Sequence, residues 1–142
     1  MSTSNTYGDK TTIAMAPTPS TLLDAYWKGK LRVTVDTKTT SSTTMDSGST
    51  IKMGLIPKGA YVLALLVKHG AMSNAVTAQI GDGTTAARFG SLTTMASAGY
   101  QTVISADPLT ALTADTYITL TTGGANCGAA VELTVTTIFA VN

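Results

Sequence analysis

Between Gly54 and Gly90 the chain reads GLIPKGAYVLALLVKHGAMSNAVTAQIGDGTTAARFG, two strand patterns cut short by glycine and proline. Tyr61 to Val67 is unbroken apolar, which suits a strand buried on both faces or lying at a subunit contact. Val76, Ala78 and Ile80 alternate with Thr77 and Gln79, the period of a half-buried strand. Pro57 holds its own φ and lacks a backbone donor, and Gly59 tolerates a positive φ. Pro57-Lys58-Gly59 is therefore a turn, after which a strand restarts at Ala60. The two patterns read as a hairpin that ends at Gly81-Asp82-Gly83. A chain punctuated in this way stacks sheets and leaves no room for long helices.

The same bias extends over the whole chain, in which 28 of 142 residues are threonine. A branched Cβ restricts χ1 and packs well on a pleated surface, so this composition favours strands. Leu31-Arg32-Val33-Thr34-Val35-Asp36 alternates strictly and marks a half-buried strand with Leu31, Val33 and Val35 on one face. Ile51, Met53 and Leu55 alternate with Lys52 and Gly54 in a second strand that stops at Pro57. Tyr100 to Ser105 and Tyr117 to Thr121 read as strands separated by the turn start Asp107-Pro108. Gly123-Gly124-Ala125-Asn126 is a further turn. Val131 to Val141 is a long last strand with Val131, Leu133 and Val135 on one face. Thr37 to Ser49 is too poor in large apolar groups to join a core and reads as a polar loop or edge. Ser91 to Gly99 is a loop or a short helix, which period alone does not decide. Seven or eight such strands predict an all-β fold, a two-sheet antiparallel sandwich of the jelly-roll kind.

The length suits one domain, and apolar residues at 44% can fill its core. The expected organisation is an extended N-terminal arm over residues 1–21 and a single β-sandwich domain over residues 22–142, with a short turn of helix at Leu22 to Trp27. The arm is rich in Ser, Thr, Asn, Ala and Pro, a composition without a packed core of its own. It reads either as a disordered tail or as an arm that orders against a neighbouring subunit. Ile13 and Met15 on the arm, and the aromatic-basic cluster Tyr26, Trp27, Lys28 and Arg32, are the expected protein-interface residues, because such side chains anchor contacts. A core position for Trp27, at one end of the sandwich, is the competing expectation.

Cys127 is the only cysteine and His69 the only histidine, so neither an intramolecular disulfide nor a cluster of soft metal ligands is expected. A net charge of +1 gives no general attraction for nucleic acid or an anionic membrane. The charge is unevenly placed. Residues 1–71 hold eight lysines and arginines against four aspartates, net +4, and residues 72–142 hold Arg88 against four acids, net −3. The first residues lack the pattern of a secretory signal, and no stretch approaches the ~20 apolar residues of a membrane helix, so synthesis in the cytoplasm is expected.

Candidate chemistry is sparse. Gly81-Asp82-Gly83-Thr84-Thr85 has no Gly-Lys-Ser/Thr ending for a phosphate and one acid where a calcium loop needs several, so it reads as a turn. His69 has no Gly-x-Ser-x-Gly partner motif. Cys127 has no nearby histidine in sequence and reads as a small buried residue. Glu132 alternates with Thr134 and Thr136 on a solvent-side face. No catalytic residue, metal site or cofactor is expected.

The order Ile56-Pro57-Lys58-Gly59-Ala60, then Tyr61 to Val67, then Gln79-Ile80-Gly81-Asp82-Gly83-Thr84 with Arg88-Phe89 beyond, resembles small virion structural proteins of tailed bacteriophages. The likeness is greatest to capsid decoration, or cement, proteins. The resemblance implies a non-enzymatic homo-oligomer, a trimer, that binds the major capsid protein on the outside of the shell and resides in the virion. A neck, tail or fibre component, or a carbohydrate-binding jelly-roll module, are the alternative functions.

Overall fold

The computed structural model describes residues 30–40, 46–72 and 74–141. The expected arm, the turn of helix at 22–27 and the interface candidates Ile13, Met15, Tyr26, Trp27 and Lys28 lie outside the described residues. Eight strands follow in order: β1 (Lys30–Thr39), β2 (Thr50–Ile56), β3 (Tyr61–His69), β4 (Thr77–Gly81), β5 (Gly90–Leu92), β6 (Gly99–Ile104), β7 (Thr116–Gly123) and β8 (Glu132–Val141). They form two four-stranded antiparallel sheets, β1-β8-β3-β6 and β2-β7-β4-β5. The pairings β1·β8, β2·β7, β3·β6 and β4·β5 nest inside one another like one long ribbon folded back on itself. Two more pairings, β3·β8 and β4·β7, roll that ribbon into a sandwich. This nested order is the double Greek key of a jelly roll.

The expected hairpin of the Tyr61 and Val76 strands does not form. β3 pairs with β6 and β8, whereas β4 lies in the other sheet between β7 and β5. The connection between them crosses from one layer to the other, and Met72, fully buried, plugs the crossing with its N–H on Met95 O at 3.1 Å. Among the described strands only β4 and β5 are both consecutive and paired. The Asp82-Gly83 turn thus opens the longer β4–β5 loop rather than a two-residue hairpin.

The core lies between the sheets. Ile51, Met53, Ile56, Ile80, Ile118 and Leu120 face Val62, Leu65, Val67, Leu133, Val135 and Phe139 across it. The expected inner face of the last strand, Val131, Leu133 and Val135, is buried, and Glu132 is exposed. Alternation breaks at two bulges. In β2 the register shifts between Met53 and Leu55, where Gly54 adopts φ +53°, so Ile56 turns inward and Leu55 outward, contrary to the sequence pattern. In β3 it shifts between Val62 and Ala64, which makes an unbroken apolar run compatible with one buried and one outward face. The 91–99 segment contributes β5 and then irregular backbone, not a helix, with Leu92 and Met95 buried.

Candidate assembly surface

Strand β1 is inverted relative to an ordinary sandwich strand. Its polar residues Thr34 and Asp36 point toward the second sheet, where the Asp36 Oδ2 atom accepts the Gly54 N–H at 2.9 Å. A methyl of Thr34 sits so close to Gly54 that a Cβ there would approach it to 3.2 Å. The bulge in β2 therefore closes the edge of the sandwich with a polar contact, and alternation sends the apolar stripe outward. Leu31, Val33 and Val35 are 65%, 58% and 62% exposed, which corrects the expectation of a half-buried apolar face.

Register carries that stripe across the sheet. Val33 lies opposite Ile138, Ile138 opposite Ala64, and Ala64 opposite Ile104. Since directly paired residues share a face, these four make an apolar row over all four strands. On one side of it lie Leu31, Ala140 and Tyr61, and on the other Val35, Thr136, Leu66 and Thr102. Ile104 is 73% and Leu66 42% exposed. Beyond them the face turns polar with Thr37, Thr134, Lys68 and Tyr100, and the hydroxyls of Thr37 and Thr134 meet at 3.0 Å. The apolar end is the end at which the chain enters β1. Exposed apolar side chains are ordinary when scattered, but a contiguous row marks a contact surface. Arg32, the one interface candidate among the described residues, is exposed on the opposite face of β1.

The outer face of β2-β7-β4-β5 differs in kind. Lys52, Tyr117, Thr121, Gln79 and Ser91 lie there, and an open cleft of about 470 Å³ is lined by Lys52, Asp82, Arg88, Asp115 and Tyr117, with Thr119 at its base. Lys52 Nζ stands 5.8 Å from the centre of the Tyr117 ring, and Asp115 Oδ1 accepts the Lys58 N–H at 2.8 Å. The charges of this cleft cancel.

One wall of the cleft is an ion-pair network that sequence reading missed. Asp82 Oδ1 accepts the N–H groups of Thr84 and Thr85 at 2.8 and 2.7 Å, an Asx turn, while its Oδ2 meets Arg88 at 3.0 Å. Arg88 Nε reaches Asp107 Oδ2 at 2.9 Å. Burial pushes the Asp82 carboxyl up, but the Thr85 and Thr84 N–H bonds and Arg88 outweigh it and hold it below the usual carboxylate range. A Thr110 hydrogen bond and then Arg88 lower Asp107 against burial. Only the Asp-Gly step was a local signal for this cluster; Asp107 arrives from a distant loop. Thus Gly81-Asp82-Gly83 serves as loop structure.

His69 is buried with Nδ1 3.2 Å from Gly70 O and Nε2 3.3 Å from the Gln101 side-chain nitrogen, so its ring is held in place by these neighbours. Cys127 is buried and its thiol donates to Ala129 O at 3.1 Å. Among the described residues no three His, Cys, Asp or Glu side chains converge as metal ligands.

No protein-family model matches the chain, and no curated protein does. Solved structures share its fold. A chain of the cyanophage Pam1 capsid asymmetric unit is 21% identical with a TM-score of 0.68, covering 80% of this chain and 86% of its own. One from the acid-stable capsid of Helicobacter pylori bacteriophage KHP30 is 15% identical, TM-score 0.56, covering 80% and 93%. One from the capsid of Ralstonia phage GP4 is 10% identical, TM-score 0.58, covering 78% and 85%. At such identities the likeness is one of fold.

Proposed function

We propose that this protein is a non-enzymatic structural component of a bacteriophage virion, a decoration protein that binds the outside of the capsid shell and holds neighbouring subunits of the major capsid protein together. The observation that carries this reading is the whole-domain likeness to chains in the capsids of three phages, spanning 85% or more of each of those chains. The distribution of charge supports a direction for the contact. Lys30, Arg32 and Lys38 share one exposed face of the edge strand β1, opposite its apolar stripe, whereas Asp82, Asp107 and Asp115 gather around the cleft at the other sheet. The basic edge of the sandwich at β1 faces the shell and the polar cleft faces solvent. Single exposed ion pairs are weak, so retention comes from several contacts made at once by an oligomer, each raising the effective concentration of the next. Binding only the closed shell then stabilises it by mass action.

The test is co-sedimentation of purified protein with shells that lack it. Saturable binding at a copy number that scales with the number of capsomers, weakened by salt and by Arg32→Glu with Lys38→Glu, is expected. Binding at only a few copies per particle would make the chain a neck, tail or fibre component. Glycan binding that disappears with Tyr117→Ala, in a protein indifferent to shells, would make it a carbohydrate-binding module.

A further inference from the structure

We propose that the cleft on the outer face of β2-β7-β4-β5 is a binding site for a neutral saccharide, with the Tyr117 ring against the C–H face of a sugar and Asp115 and Lys52 on its hydroxyls. The inference does not depend on the capsid reading. Three observations support it.

The first is shape. The cleft holds about 470 Å³, within the roughly 300–1,000 Å³ of small-molecule sites. Its walls are fixed before a ligand arrives. On one side the Thr84 and Thr85 N–H groups and Arg88 hold Asp82, and Arg88 ties that loop to Asp107. Gly83, at φ +88°, comes so close to the floor that a Cβ there would lie 3.6 Å from Thr119 Oγ1. On the other side Asp115 Oδ1 accepts the Lys58 N–H at 2.8 Å, and the Thr116 hydroxyl donates to Ala114 O at 2.8 Å. A preformed site loses little ordering entropy on binding. The second is which polar groups remain free. Asp82 and Arg88 are engaged with each other, with backbone and with Asp107. Among the described residues no hydrogen bond occupies Asp115 Oδ2, Lys52 Nζ or the Tyr117 hydroxyl. A free acceptor and a free donor on one cleft suit hydroxyl groups, each of which donates one hydrogen bond and accepts another. The third is polarity. Lys52 and Arg88 balance Asp82 and Asp115, so neither an anion nor a cation gains by entering, and the threonines of the lining turn away an apolar ligand. Tyr117, 47% exposed, is the aromatic side chain of the lining, an apolar body with a polar tip. A sugar ring, neutral and rich in hydroxyls yet apolar over one face, matches all three.

The test is affinity electrophoresis of the full chain through gels carrying amylose, dextran, a β-glucan or a galactomannan, with alginate as the acidic counterpart, followed by titration calorimetry with oligosaccharides of the retarding polymer. Retardation by at least one neutral polymer, undiminished by high salt, is expected. Tyr117→Ala should abolish it. Asp115→Asn keeps an oxygen for the Lys58 N–H but turns the free acceptor into a donor, and should weaken binding roughly tenfold. Tyr100→Ala removes a more exposed ring from the other sheet and should leave binding unchanged. Circular dichroism checks that each variant is folded, and Asp115→Asn serves where Tyr117→Ala fails to fold. Free passage through every neutral polymer overturns the proposal. Retention by alginate alone, abolished by salt, also overturns it, because that is ion exchange at Lys52. Neutral-polymer binding that survives both Tyr117→Ala and Asp115→Asn places the sugar elsewhere and overturns it as well. Shell binding is read separately on the same variants, so either proposal can fail without the other.

Discussion

Replacing Ile56 by alanine and, separately, Leu55 by alanine tests the bulge that sets the whole edge of the sandwich. Regular alternation from Ile51 and Met53 puts Leu55 in the core and Ile56 in solvent. With Gly54 at φ +53° and the register shifted after Met53, the order reverses: Ile56 is 0% and Leu55 48% exposed. Truncating a fully buried isoleucine removes its transfer free energy and leaves a cavity, together about 3 kcal/mol within a range of 2–5. Leu55 keeps half of its surface in water and sits opposite the exposed Tyr117, so its truncation costs about 1 kcal/mol or less. With a urea m-value of about 2 kcal/mol/M, the midpoint falls by roughly 1.5 M for Ile56→Ala and by no more than roughly 0.5 M for Leu55→Ala. Equilibrium urea unfolding of the two variants beside the parent, followed by circular dichroism at equal protein concentration, reads both shifts. Equal losses, or a larger loss for Leu55→Ala, would refute the bulge and with it the inward placement of Asp36.

Other outcomes follow from the same contacts. A Cβ on Gly81 would come within 1.9 Å of Thr85 O, so Gly81→Ala should lower the thermal midpoint markedly, whereas Gly99→Ala, with open space around it, should leave it unchanged; calorimetry of the pair decides. Asp82 and Asp107 have folded values held below the ordinary carboxylate range, so the stability they contribute is present above that range and is lost as the pH falls through the depressed folded values. Unfolding free energy should therefore decline below about pH 4, and Arg88→Met should flatten that decline; an unchanged slope would remove the network from the account. Buried Cys127 should resist a thiol reagent in the native protein and react fully in denaturant, and rapid native labelling would contradict its placement.

Much of the local structure was legible in the chain itself. The period of two located β1, β2, β4 and β6 to β8, gave the buried face of β8, and placed turns at Pro57-Lys58-Gly59 and Gly123-Gly124, where Gly59 and Gly124 do adopt positive φ. These are consequences of residues a few positions apart, so composition and spacing suffice. Sequence order misled where the partner is distant. Neighbouring β3 and β4 belong to different sheets, because in a nested ribbon every strand but the innermost pair finds its mate far along the chain. The candidate surface was harder still. Alternation divides β1 into an apolar and a polar face but does not say which one meets the core. The bulge at Gly54 and the Asp36 contact decide that, and only the assembled sheet aligns Val33 with Ile138, Ala64 and Ile104, four residues with no common signal in sequence. Likewise Arg88 joins Asp82 to Asp107 only once two loops meet. Local stereochemistry chose the strands and turns; long-range pairing, which depends on every layer packing at once, chose what each face touches.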